Sequence, residues 1–234
     1  LEEEEDILEK NQEIERAERL STENPVLGCR GKRLDALIPE LTKIQIRAAL
    51  EAVRQQSMEG EPDLTLFVPF ISSEEELRGL KEYAAEIAKE IQQEDEPEPS
   101  IKIGAMIEVP RALLLVDRIA PLVDAICFDV DLIQTLCLGI SKDDVADMIP
   151  RYRASRIIHF DPFTEMDISG IGQVIATAVS KAKEVNSEII CAASGPQLAG
   201  VESVAFCHSI GIDSFVVDPE HVELTQLFAA KVSV

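Results

Sequence analysis

Apolar positions along the chain alternate between two rhythms. Short runs at Leu64–Phe70 (LTLFVPF), Ile101–Val109 (IKIGAMIEV), Ala125–Phe128 (AICF), Glu188–Ser194 (EIICAAS) and Asp213–Pro219 (DSFVVDP) have the length and composition of buried strands. Between them, apolar residues recur every three or four positions, as at Leu41, Ile44, Ala48, Ala49 and Ala52. That spacing predicts helices packed by one face, and the stretch Met166–Val185 reads as a long amphipathic one. Val26–Leu34 (VLGCRGKRL) reads as a further short strand with a glycine turn, which makes six strands in all.

Local signals place the boundaries. Ser72 or Ser73 followed by Glu76 predicts a capped start for a helix reaching about Gln92, and Pro110 suits the first position of a helix through Ala120. Further helices are expected over Pro39–Gln56, Leu132–Leu138, Leu198–Gly211 and Glu220–Val232. Gln92–Ser100 is polar and proline-bearing, a surface loop rather than a linker, because the same rhythm resumes after it. Repeated strand–helix units predict an α/β fold with a parallel sheet flanked by helices. Six such strands make an open doubly wound sheet or six-eighths of a closed barrel. The G-x-G-x-x-G corner of dinucleotide binders is absent, and composition does not separate the two.

The chain divides into an acidic leading helix, residues 1–23, and one domain, residues 24–234. Its 234 residues, 46 % hydrophobic, suffice for a large core. The net charge of −22 argues against nucleic acid and anionic membranes as partners, and an anionic substrate would need a local group of arginines. Cys29, Cys127, Cys137, Cys191 and Cys207 include no C-x-x-C pair and mostly sit in apolar surroundings, which suggests free thiols in a reducing compartment such as the cytoplasm. No apolar run is long enough for a membrane span, and the opening LEEEEDILEK is too acidic for a secretory or transit peptide. His159 reads as a structural hydrogen-bonder, and His208 and His221 carry no functional signal.

The stretch DAICFDVDLIQ (Asp124–Gln134) places Asp129 and Asp131 where a strand runs into a helix. Such corners bind ligands in α/β proteins.

Several segments together resemble the C-terminal, phosphoenolpyruvate-utilising domain of pyruvate phosphate dikinase. Asn24–Leu34 (NPVLGCRGKRL) is similar to that family's N-P-x-L-G-x-R-G-x-R-L, and Ile44–Val53, LFVPF and Ile103–Asp117 (IGAMIEVPRALLLVD) resemble its next helix and strands. His159–Ile175 (HFDPFTEMDISGIGQVI) resembles a segment typical of the dikinase. The resemblance implies a (β/α)₈ TIM-barrel type whose first two strands are absent from this chain, leaving about six units. It also implies a magnesium ion, phosphoenolpyruvate or pyruvate as ligands, a typically homodimeric family, and a barrel completed by a partner or by the rest of a longer polypeptide. Carried over by position, Glu108 and Asp131 match the metal carboxylates, Arg30 an arginine approaching the substrate, and Cys191 the cysteine that protonates the enolate.

The surroundings depart from the pattern. Where the family reads G-T-N-D, this chain reads Phe128, Asp129, Val130, Asp131. The expectation is that Phe128 fills substrate space with a ring, Val130 loses an amide, and Asp129 adds charge beside a trianion or serves as a replacement metal ligand. C-G-E-H-G becomes Cys191, Ala192, Ala193, Ser194, Gly195, removing the groups that would polarise a proton donor. These changes point to a degenerate domain, without competent phosphotransfer, serving structure or interaction in a larger assembly. The alternative is an active magnesium-dependent phosphotransfer domain.

Overall fold

The computed structural model describes residues 10–11, 13–15, 17–18, 24–56, 63–94, 97–145 and 147–232. Those described before residue 19 are helical; the remainder of the acidic leading helix lies outside the described residues.

Five strands form one sheet: β1 (Thr65–Val68), β2 (Lys102–Ile107), β3 (Ala125–Asp129), β4 (Ile190–Ser194) and β5 (Ser214–Val216). All four neighbouring pairs are parallel, and their spatial order is their chain order. A doubly wound sheet reverses its order at a switch point and has helices on both faces. A sequential parallel sheet with right-handed crossovers keeps every helix on one face. The core matches the second arrangement. Val68, Ile103, Ala105, Ile107, Ile126, Phe128, Cys191 and Ala193 supply the strands' share of one hydrophobic cluster, and these are alternate residues on a single face. The fold is therefore α/β of the TIM-barrel type, seen as an open arc with β1 and β5 at its edges.

The helices whose residues join this cluster are α1 (Leu41–Gln56), α2 (Leu80–Ile91), α3 (Pro110–Leu114), α4 (Val116–Ile119), α5 (Val130–Leu138), α7 (Ile171–Val185) and α8 (Val201–Ser209); α6 (Met148–Ala154) and α9 (Val222–Val232) give it none. Helices α1 and α7 turn an apolar stripe to the sheet, with Ile46 and Leu50 of α1 and Ile175, Val179 and Ala182 of α7 in the cluster.

The structure differs from the sequence reading at several points. The strand expected near Arg30 is a turn followed by a 3₁₀ segment, Gly31–Ala36, so five strands are present among the described residues instead of six. Gly31 has a φ of 55°, and a Cβ there would lie 2.8 Å from the Pro69 carbonyl oxygen. This close approach to the exit of β1 fixes a compact loop and forbids an extended strand. The Ser73–Glu76 capping box forms, yet it opens a 3₁₀ turn, Glu74–Glu76; α2 starts only after Gly79, whose φ is 74°. The helix expected over 110–120 is split at Leu115. Helix α6 escapes the apolar pattern, although its proline, Pro150, sits in the first turn where the missing N–H is tolerated. Among the described residues no helix is long and apolar enough to cross a membrane.

Candidate functional site

Because all strands are parallel, their carboxyl ends lie together, and the residues that leave them share one rim. Phe70 follows β1, Glu108 follows β2, Asp129 closes β3, Asp131 lies in the first turn of α5, and Ser194 closes β4 beside Asp129.

Glu108 is 3 % exposed and pairs with Arg30, Nη2 to Oε1 at 2.9 Å. Its Oε2 accepts a hydrogen bond from the Phe70 N–H. Phe70 is a non-glycine residue with a φ of 61°, a sparsely populated backbone state that its partners hold in place. Its ring lies between two guanidinium groups, Arg30 at 4.1 Å and Arg33 at 4.0 Å from the centroid. Arg30 Nε also donates to the Val26 carbonyl, and Arg33 Nη1 to the Leu27 carbonyl. Thus the loop at 26–33 is fastened to the ends of β1 and β2 by its arginines.

Asp129 caps α5 by accepting from the Leu132 N–H at 2.9 Å. Burial, with the charges of Glu108 and Asp131 adding to it, lifts its carboxyl above the ordinary carboxylate range. Asp131 is held at both oxygens. Lys142 Nζ reaches Oδ2 at 2.7 Å, and Nε2 of fully buried Gln197 reaches Oδ1 at 2.8 Å. Gln197 also donates to the Pro162 carbonyl at 3.0 Å. Gln134, likewise buried, donates to the same carbonyl at 2.6 Å and accepts from the Asp167 N–H. The turn at 161–167, part of the segment that carried the resemblance, is thereby locked to the end of β4 and to Asp131. A cavity of about 440 Å³ opens beside Asp131, between the 24–27 turn, α5 and the 140–144 segment.

The structure thus brings Arg30, Glu108, Asp129 and Asp131 to one rim. It places three other sequence-picked residues elsewhere. Phe128 pairs in register with Ile107 and Ala193 on the helix-facing side and is fully buried there, so its ring does not enter the rim; the expected steric block is corrected by strand alternation. Val130 is likewise buried in the helix-facing core. Cys191 is the second residue of β4, in register with Ile126, three residues below Ser194, and it too faces the helices. Burial pushes its thiol up to about 11. The sequence reading missed Phe70, Gln134, Lys142 and Gln197. Of these, Lys142 had a signal: Gly139, with a φ of 64°, ends α5 and turns the chain back toward Asp131.

The magnesium implied by the resemblance can be tested against this donor set. Both oxygens of Glu108 and both of Asp131 already accept hydrogen bonds, one on each acid from a cationic side chain. Among the described residues no three His, Cys, Asp or Glu side chains are grouped to hold a metal ion. As arranged, these residues do not fit a divalent ion between Glu108 and Asp131.

Comparison with known proteins bears on the whole chain. Residues 6–234 match the family model described as PEP-utilising enzyme, PEP-binding domain. The pyruvate, phosphate dikinase of Clostridium symbiosum is 31 % identical over 210 residues, 89 % of this chain and 24 % of the relative. Pyruvate, phosphate dikinase 2 of Oryza sativa subsp. japonica is 34 % identical over 222 residues, 94 % of this chain and 25 % of the relative. The chain therefore spans about a quarter of the length of the curated relatives it matches. Among solved structures, Cryptosporidium parvum pyruvate kinase superposes with a TM-score of 0.50 at 12 % identity, covering 80 % of this chain and 35 % of that one, a likeness of fold alone. With its family model matched over nearly its full length, the chain belongs to the PEP-utilising enzyme, PEP-binding domain family.

Proposed function

We propose that this domain retains the dikinase-type barrel architecture without competent phosphotransfer and acts as a structural or interaction module in a larger polypeptide or assembly. The observation that supports it best is the position of Cys191. A proton donor must come within hydrogen-bond reach of the carbon it protonates. Cys191 faces the helices in the hydrophobic core, on the side of the sheet away from the rim acids. At the rim, Glu108 and Asp131 are already neutralised by Arg30 and Lys142. Asp129 adds a further acid where a phosphorylated carboxylic acid would have to sit, and like charges at that range weaken binding. The edges of β1 and β5 are then the natural places for further strands, from the same polypeptide or a partner.

A second reading, a competent phosphoenolpyruvate/pyruvate domain, draws support from two observations. The Phe128 ring points away from the rim and leaves it open, and the relatives matched over about nine-tenths of the chain are dikinases. Deuterium exchange at the pyruvate methyl group, followed by NMR in heavy water with magnesium, separates the two. Exchange at the buffer rate is expected; faster exchange that Glu108→Gln abolishes would establish the second reading.

A further inference from the structure

We propose that Lys142 is a tethered cation that occupies Asp131 in place of a divalent metal, so that this acid is neutralised by the chain itself. The proposal rests on the degenerate reading above only in taking Asp131 as part of the rim; its test reads metal binding and not turnover.

The placement of Lys142 is built into the fold. Helix α5 ends in a reversal at Gly139: the Gly139 N–H bonds to the Leu136 carbonyl and the Ile140 N–H to the Thr135 carbonyl. That reversal returns the 141–144 turn toward the first turn of the same helix, where Asp131 lies. There the ammonium meets Oδ2 at 2.7 Å and stands 5.7 Å from the Phe163 ring centroid. Phe163 belongs to the 161–167 turn that Gln134 and Gln197 pin through the Pro162 carbonyl.

Asp131 is equally constrained. Gln197 is fully buried and holds Oδ1 at 2.8 Å, so the carboxylate keeps one direction free for a cation, and the lysine fills it. Lys142 is compact and singly charged, and its side chain is 48 % exposed, so its departure would uncover Asp131 without disturbing the core. Across the rim Arg30 does the same for Glu108, so the two acids and two cations cancel. A divalent ion at Asp131 would have to enter against the ammonium, and Lys142 is therefore the residue that decides whether this acid binds metal.

Manganese(II) binding followed by electron paramagnetic resonance tests this on the full chain. The wild-type protein is expected to leave the free-ion signal undiminished at millimolar metal. Lys142→Met is expected to bind one ion at least tenfold more tightly, and Lys142→Arg to behave as wild type. Adding Asp131→Asn to Lys142→Met should remove the gained site. Circular dichroism melts check that each variant is folded. Tight wild-type binding that Lys142→Met leaves within twofold would overturn the proposal, as would a folded Lys142→Met that gains no ion or keeps it without Asp131.

Discussion

On the helix-facing side of β3, Phe128 is fully buried beside Ile107 and Ala193; one residue later, on the opposite side, Asp129 caps α5 at the rim. The two sides of this sheet answer to different physics. The helix-facing side is closed by apolar packing, whose loss is felt as cavity and lost burial. The rim is closed by ion pairs and single hydrogen bonds, whose loss is softened by water wherever a partner is exposed. Residues that stand next to one another in a family motif can therefore belong to different problems. Phe128 and Cys191 are matters of stability, whereas Asp129, Asp131 and Glu108 are matters of charge.

The largest expected effect lies on the packed side. Phe128→Ala should cost about 3–5 kcal/mol in chemical denaturation, the usual range for a large buried aromatic ring. A cost under about 1 kcal/mol would mean that the ring points into open space at the rim, and the division between the faces would fail. Next comes Glu108→Gln, which removes the ion-pair partner of Arg30 and the charged acceptor of the Phe70 N–H. Because Arg30 is one-third exposed, water takes up part of the loss, and about 2 kcal/mol is expected. The same variant should loosen the Arg30 loop, read as faster amide exchange at Lys32, whose N–H bonds to the Pro69 carbonyl.

The smallest effect is a matter of pH. Burial raises the Asp129 carboxyl above its ordinary range, so the folded state holds this proton more tightly than the unfolded chain. Stability from this group is present below the unfolded carboxylate pKa and is lost as pH rises through the folded value. Asp129→Asn keeps the cap to Leu132, since asparagine caps as well as aspartate, and removes the ionisation. The variant should match wild type near pH 3 and be more stable at pH 7 in thermal melts across that interval. Wild type gaining on the variant as pH rises would show that the Asp129 charge is favoured at the rim.

Much of the architecture was legible in the chain. The strands at 65–68, 102–107, 190–194 and 214–216 fell within the apolar runs, and the strand at 125–129 runs one residue past its run at Ala125–Phe128, because parallel strands covered by helices carry that pattern. The same fact hid the facing of Phe128. In Ala125, Ile126, Cys127 and Phe128 both faces are apolar, so no polar residue marks which side meets the helices, and only register with β2 and β4 decides it. The rim was legible at Arg30, Glu108, Asp129 and Asp131 as a set of charged residues at strand ends. What they pair with was not, because Gln197 reaches Asp131 from 66 positions away and Arg30 reaches Glu108 across 78. The loop at Arg30 was misread as a strand because the constraint on Gly31, its contact with Pro69, is itself long-range.

The account depends most directly on whether the rim accepts a small phosphorylated carboxylic acid. Titration calorimetry of the full-length protein with phosphoenolpyruvate and magnesium at pH 7 measures this. No saturable heat is expected up to millimolar ligand. A saturable, stoichiometric heat lost in both Arg30→Ala and Glu108→Gln would contradict the account and return the domain to the working members of its family.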